Sequence, residues 1–262
     1  MCTTCGCGAD EITIDGKHAH AEAHAHAHTH DHSHHDAASA HGHTVLLEQD
    51  ILAKNRLFAE RNRGWFAGRE VLAINLMSSP GAGKTSILER TIRDLHGSRP
   101  IAVLEGDQAT ANDSDRIRAA GAPVVQINTG TGCHLDAHMV AHGVERLNPS
   151  RGAMLLIENV GNLVCPALFD LGEQARVVIV SVTEGDDKPI KYPHMFHACE
   201  LMLINKVDLL PYVRFDVERC IGHAHQVNPR IEVLRVSAET GEGMQDWYQW
   251  LSKQSSISGL AA

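Results

Sequence analysis

An α/β fold with a mostly parallel sheet flanked by helices is what the sequence predicts, on three observations. Seven short apolar runs recur between residues 71 and 237, separated from one another by stretches of helical character. A Gly-rich turn of phosphate-binding type stands between the first run and the helix that follows it. A Cys- and His-rich leader, expected to be disordered, lies ahead of them all. Buried strands alternating with helices pair in parallel, with both faces of the sheet covered.

The leader comes first. Cys2, Cys5 and Cys7 in MCTTCGCG can bring three thiolates around one ion, because cysteines crowded with glycine serve no core. A disulfide is the rival reading. Eleven histidines between His18 and His43, mostly with one residue between them, are too dense for one buried helix or strand face. They must face water or bind metal. Residues 1–43 therefore form a metal-binding tail, and residues 44–262 are long enough for one α/β domain with a substantial core.

That domain opens on a lead-in helix, in which Val45, Leu46, Ile51, Leu57 and Phe58 fall at rough helical spacing and Gly64 and Gly68 mark the end. The strands are 71–77, 101–106, 123–128, 153–158, 176–182, 200–205 and 231–237. In the last helix Met244, Trp247, Trp250 and Leu251 share a stripe that belongs to the core, and Cys199 and Cys220 lie in apolar segments as core residues.

Composition sets the partners. A net charge of −9 and an aromatic fraction of 4% argue against nucleic acid. No run of eighteen apolar residues and no charged-then-apolar leader appears, so no membrane is expected and the location is cytoplasmic. In that compartment cysteines are more often free, catalytic or metal-bound than paired.

The sheet's carboxyl edge should hold the ligand, and the motifs cluster there. SSPGAGKT, Ser78 to Thr85, follows the first strand and opens a helix, which is the context of a P-loop NTPase. Gly81, Ala82, Gly83, Lys84, Thr85 and Ser86 are the candidate phosphate contacts, with Lys84 reaching the outer phosphates and Thr85 binding Mg2+ as the catalytic pair. Ser78 stands where the pattern has its first glycine. Asn205, Lys206 and Asp208 form N-K-x-D, in which a carboxylate accepts the paired N–H donors of guanine. SAETGEG supplies Ser237 and the backbone of Ala238 for the guanine oxygen, so the nucleotide is GTP. Asp107 and Glu158 end two strands and are the candidate further Mg2+ ligands, or else ordinary surface carboxylates. The water-activating residue stays unassigned, Gln108 being merely adjacent.

A second thiol group lies inside the domain. Cys133 and His134 in TGTGCHLDAH and Cys165 in GNLVCPA each follow a strand and can meet at the nucleotide edge, where the bland alternative is a pair of free buried cysteines. Sulfur with imidazole suits Ni2+, Zn2+ or copper. His138 and His142 continue from His134 at four-residue spacing and read as a solvated helix face.

MCTTCGCG, SSPGAGKT, EGDQ, NTGTGCHLDA, IENVGNLVCPA, SVTEGDDKPIKYPHMF, NKVDLLPY and SAETGEGM together resemble the hydrogenase maturation GTPase family HypB over nearly the whole chain. The resemblance implies a GTPase that dimerises with nucleotide, hydrolyses GTP slowly and delivers nickel to the [NiFe] hydrogenase large-subunit precursor beside the metallochaperone HypA. It further implies a tight nickel site at Cys2, Cys5 and Cys7 and a weaker Ni2+ or Zn2+ site at Cys133, His134 and Cys165 in the dimer interface. The His run suggests nickel storage as well. Two alternatives remain: a protein that mainly stores nickel, and a urease-type insertion GTPase, against which Ala167 after Cys165-Pro166 counts.

Overall fold

The structure is a computed structural model that describes residues 13–14, 17–18, 37–107 and 112–257, with side chains over 49–107 and 112–255. Cys2, Cys5, Cys7, Gln108 and the side chains of the His run lie outside the described residues.

All seven expected strands form. They are β3 (Leu72–Ser78), β4 (Ile101–Asp107), β5 (Val124–Asn128), β6 (Met154–Glu158), β7 (Ala175–Ser181), β8 (Leu201–Asn205) and β9 (Glu232–Arg235). They pair in parallel in the order β5-β4-β6-β3-β7-β8-β9. Two short segments of the leader, β1 (Thr13–Ile14) and β2 (Lys17–His18), add antiparallel pairs at the β5 edge. The Val/Ile/Leu-rich strands β3, β6 and β8 are buried along their whole length, as a sheet covered on both faces requires.

Period-2 alternation sends each strand's side chains to two different layers. One face packs Leu72, Ile74, Leu76, Val103 and Leu156 against α2 (Lys84–Asp94), α3 (Asn112–Ala120) and α8 (Met244–Ile257). There Trp247 is fully buried, stacked on Trp250, and donates to Thr91 Oγ1 at 3.0 Å. The opposite face packs Ala73, Leu104, Leu155 and Ile157 against α1 (Ala37–Gly68) and α4 (Ala137–Leu147). Beyond them Val178, Val180 and Met202 meet α6 (Pro193–His197) and α7 (Val217–Val227), with Cys199 and Cys220 buried in that cluster as expected. A four-residue helix, α5 (Lys188–Lys191), precedes α6. No helix among the described residues is long and apolar enough to cross a membrane.

The lead-in helix forms, but on a different face from the expected one. Ile51 is 40% and Leu57 75% exposed, whereas Asn55, Ala59, Asn62 and Phe66 are buried. Two amides do what an apolar stripe would otherwise do. Asn55 accepts from Ala137 N and donates to Asp170 O, both at 2.8 Å, and Asn62 donates to Ala137 O at 2.8 Å and Leu171 O at 3.0 Å. The α1 helix is thereby fixed to the start of α4 and to residues 170–171. Replacing Asn62 by Ala should cost roughly 1–3 kcal/mol, because it removes two buried hydrogen bonds; an unchanged urea midpoint would show that these bonds contribute nothing.

Candidate nucleotide cleft and metal cage

The loop between β3 and α2 depends on its glycines. Gly81 (φ 75°) and Gly83 (φ 96°) are left-handed, and a Cβ on Gly83 would lie 2.5 Å from Asn205 Nδ2. Asn205 instead donates to Ala82 O at 2.9 Å, and Lys206, itself left-handed, donates to Gly81 O at 2.8 Å. The expected base-reading motif thus also shapes the phosphate loop. Lys84 Nζ donates to Ser78 Oγ at 2.7 Å, so the serine in the glycine position holds the ammonium group. Burial pushes the Lys84 pKa below its ordinary value, against the pull of Glu158.

A cleft of about 500 Å3 opens over this loop, lined among others by Lys84, Thr85, Glu105, Asp107, Asp113 and Glu158. Thr85 Oγ1 donates to Glu158 Oε1 at 2.8 Å, while Glu158 Oε2 is buried without a protein partner. Burial lifts the Glu158 carboxyl to about 7 even though Lys84 pulls it down. Glu105 faces Glu158 across the β4–β6 register and is likewise buried, with Oε2 unpartnered. Its carboxyl is pushed to about 8, by burial first and then by the charges of Glu158 and Asp107. These are hard oxygen donors without enough hydrogen, a set that fits a hydrated divalent ion such as Mg2+. Thr85, Asp107 and Glu158 would hold it, and it would neutralise phosphate charge there.

Sequence reasoning passed over Glu105, Asp113, Arg116 and Glu184. Glu105 had a signal: it stands two residues before Asp107 and so shares its strand face. Arg116 donates to Ser86 Oγ at 3.3 Å and to Glu89, and Ser79 Oγ donates to Glu184 Oε1 at 2.6 Å; neither contact follows a spacing rule.

Beside the cleft a hollow of about 300 Å3 is lined by Asn205, Lys206, Asp208, Ser237 and Ala238. Ser237 Oγ donates to Asp208 Oδ1 at 2.5 Å, and Ala238 N to Asn205 Oδ1 at 3.3 Å. The carboxylate is thus oriented by a neighbour, which suits a group expected to pair with a flat base.

The other thiol group converges on the far face of the sheet. Donor atoms of Cys133, His134 and Cys165 all lie within 4.8 Å of one another, the one such group of three among the described residues. Cys133 Sγ sits 3.7 Å from His134 Nδ1. The His134 ring is buried, stacks on Phe169 at 3.9 Å, and is held below its ordinary pKa by that burial, hence neutral and able to ligate. Cys133 and His134 stand in a turn ahead of α4 rather than within a helix. Both cysteines are partly exposed, in contrast to Cys220, whose thiol burial raises to about 12. Two sulfurs and one imidazole leave a fourth position open, which suits a soft or borderline ion that must enter and leave.

One strand end serves both sites. Glu158 points into the cleft, and the next residue, Asn159, accepts from Leu135 N at 3.0 Å, beside His134. Gly106 takes part similarly: a Cβ there would lie 2.7 Å from Leu135 Cγ, while its neighbours Glu105 and Asp107 line the cleft.

This fold and cleft define a P-loop nucleotide-binding protein with a separate sulfur-and-imidazole cage. The family model "CobW/HypB/UreG, nucleotide-binding domain" matches residues 72–235. A hydrogenase maturation factor HypB of Azotobacter vinelandii is 52% identical over 280 residues, covering 97% of this chain and 92% of that one. The HypB crystal structure from Archaeoglobus fulgidus superposes with a TM-score of 0.73 at 41% identity, over 78% of this chain and 99% of that one. HypB from Helicobacter pylori in complex with nickel superposes equally, at 34% identity over 78% and 96%. The chain belongs to the HypB family of hydrogenase maturation factors.

Glu105 sets a pH dependence. With its carboxyl near 8 against an ordinary 4.5, the folded chain keeps a proton that the unfolded chain has lost. Folding is then penalised increasingly as pH rises through that window. The melting temperature of nucleotide- and metal-free protein should fall between about pH 5 and about pH 8, and Glu105→Gln should flatten the fall. Superimposable profiles for the two proteins would contradict the assignment.

Proposed function

We propose that the protein is a GTP-hydrolysing nickel metallochaperone that delivers Ni2+ to the [NiFe] hydrogenase large-subunit precursor. In this reading HypA is its companion and a GTP-dependent homodimer is the working species. Membership of the family supports it, as does the complex that the related HypB from Helicobacter pylori forms with nickel. The observation that carries it is the strand end at Glu158 and Asn159, which touches the phosphate side with one residue and the metal turn with the next.

Within this proposal Lys84 and the amides of residues 81–86 bind the phosphates, and Thr85, Asp107 and Glu158 hold Mg2+. Asp208, with Ser237 and Ala238, selects guanine. The cage of Cys133, His134 and Cys165 carries Ni2+, or Zn2+ in its place, as cargo. Val164 and Leu168, 54% and 56% exposed around Cys165, are apolar groups that a second copy would cover. Residues 1–43 act as a separate nickel-binding unit, with the three leading cysteines as a tight site and the His run as a store, and residues 44–262 as the GTPase unit. The setting is the cytoplasm, and neither nucleic acid nor membrane takes part.

Guanine selection is tested by Asp208→Asn, which replaces a double acceptor by one donor and one acceptor. Its preference should move from guanine to xanthine nucleotides, whose position 2 carries an oxygen in place of the amino group. Retention of full GTP affinity would remove Asp208 from the base site. Coupling is tested by the rate at which Ni2+ leaves the cage with GDP and with a non-hydrolysable GTP analogue bound. The rates should differ by about fivefold or more, and equal rates would defeat the gating.

A further inference from the structure

Arg90 belongs to α2, the helix that opens on Lys84 and Thr85, yet its guanidinium reaches the loop that follows β9. Nη1 donates to Ala238 O and to Glu239 O, both at 3.4 Å. Nε donates to Asp94 Oδ2 at 2.7 Å, one turn farther along the same helix, and Tyr248 of α8 donates its hydroxyl to that same oxygen at 2.8 Å. The planar fork is thereby held at both ends, which a single ammonium group could not match. Only 30% of the Arg90 side chain is exposed, so it is a packed part of the fold rather than a free surface cation.

The loop is shaped to receive it. Gly241 is left-handed (φ 86°), and a Cβ there would collide with Arg90 Nη2, so the glycine leaves the space that the guanidinium fills. Ser237, the residue before Ala238, is fixed from the other side. Its N–H donates to Glu242 O at 2.9 Å, its carbonyl accepts from Gly241 N at 2.9 Å, and its hydroxyl donates to Asp208. The Ala238 N–H therefore lies between two anchors, Ser237 ahead of it and the carbonyls bound by Arg90 behind it. A peptide N–H turns only with the dihedrals on either side of it, and each bond to an adjoining group removes part of that freedom. At present this N–H donates to Asn205 Oδ1 at 3.3 Å, a long bond that a better-placed acceptor can displace.

We infer that Arg90 is a positioning residue for base recognition: it holds the Ala238 peptide so that its N–H meets the oxygen at position 6 of guanine, without itself touching the nucleotide. The inference rests on the proposed reading of the chain as a guanine nucleotide protein and divides the labour within that site. Asp208 takes the N–H donors at positions 1 and 2, and the loop held by Arg90 takes position 6. A donor fixed before the base arrives costs less ordering on binding, so the benefit appears as affinity for the right group at position 6. Because Arg90 stands on the helix whose first turn carries Lys84 and Thr85, the phosphate end and the base end of the cleft are tied by one side chain. Arg90 and Ala238 lie 148 positions apart, and no motif joins them.

The test compares nucleotides that differ at one edge of the base. Full-length protein and Arg90→Met, which keeps an unbranched stem but no donor, are titrated with GDP, 6-thio-GDP and inosine diphosphate. The first analogue replaces the oxygen at position 6 by sulfur, a weak acceptor, and the second lacks only the 2-amino group. The unaltered protein should bind each analogue about fivefold or more weakly than GDP. In Arg90→Met the 6-thio penalty should shrink below about twofold while the inosine penalty keeps its full size, the signature of a residue coupled to one contact and not the other. Arg90→Lys, a milder change that retains the charge but not the fork, should fall between the two. Loss of stability alone weakens all three nucleotides in proportion and leaves both penalties intact. That result would overturn the inference, as would an undiminished 6-thio penalty in either variant or its absence from the unaltered protein. Equal affinity of the unaltered protein for GDP and inosine diphosphate would instead sink the guanine reading itself.

Discussion

Asn159 is the constraint on which the rest of the molecule depends. Its backbone N–H donates to Leu76 O, its side-chain oxygen accepts from Leu135 N and Val160 N, and its amide donates to Asn75 Oδ1 at 3.3 Å. Asn75 in turn donates to Glu173 Oε1 at 3.1 Å, and Glu173 accepts from Leu171 N and Arg176. The chain of bonds is buried and satisfied at each of these links. A half-satisfied network of this kind would be worse than an apolar core. Completed, it fixes Leu135, next to His134, and Leu171, two residues from the Phe169 that stacks on His134, to β6 and to β3, the strand that leads into the phosphate loop.

Alternation along a strand explains how one sheet edge supports two chemistries. On β4, Glu105 and Asp107 face the cleft while Gly106 receives Leu135 from the other side. On β6, Glu158 faces Thr85 and Asn159 faces the metal turn. Oxygen donors therefore collect on one face and sulfur and nitrogen donors on the other. An ion that prefers hard ligands has no reason to enter the cage, and a borderline ion has softer ligands than the cleft offers. The sheet thus keeps the two donor sets apart while leaving them a few bonds from each other.

Much of this was legible in the sequence. The apolar runs marked all seven strands, and most plainly β3, β6 and β8, because fully buried parallel strands leave no polar face to confuse the pattern, and SSPGAGKT and NKVD are each contiguous. Cys133 and Cys165 lie 32 positions apart (165 − 133), and only the strands before them suggested that they would meet. What escaped notice depended on contacts between distant segments. The α1 helix looked apolar at Ile51 and Leu57, yet it is anchored by the amides of Asn55 and Asn62, whose carbonyl partners no periodicity reveals. Arg116 at Ser86 and Glu184 at Ser79 are of the same kind. His138 and His142 were visible as a spacing, but the contact of Phe58 with His138 was not.

Coupling between the sites needs an element with two arrangements, not mere proximity. The segment from Glu158 to Cys165 has the required properties. At one end Glu158 is a carboxylate that burial drives toward protonation and that Lys84 and Thr85 draw back toward charge. In the middle Gly161 lies against Pro80 of the phosphate loop, where a Cβ would come within 3.1 Å of the proline backbone. Farther on, Asn162 donates to Cys133 O at 3.4 Å and accepts from Val164 N, one residue before Cys165. A shift of the phosphate loop would therefore meet Gly161 directly and have eight residues, 158 to 165, over which to reach Cys165. A longer segment would absorb the shift; in the proposed gating this short, closely packed one would carry it to the sulfur.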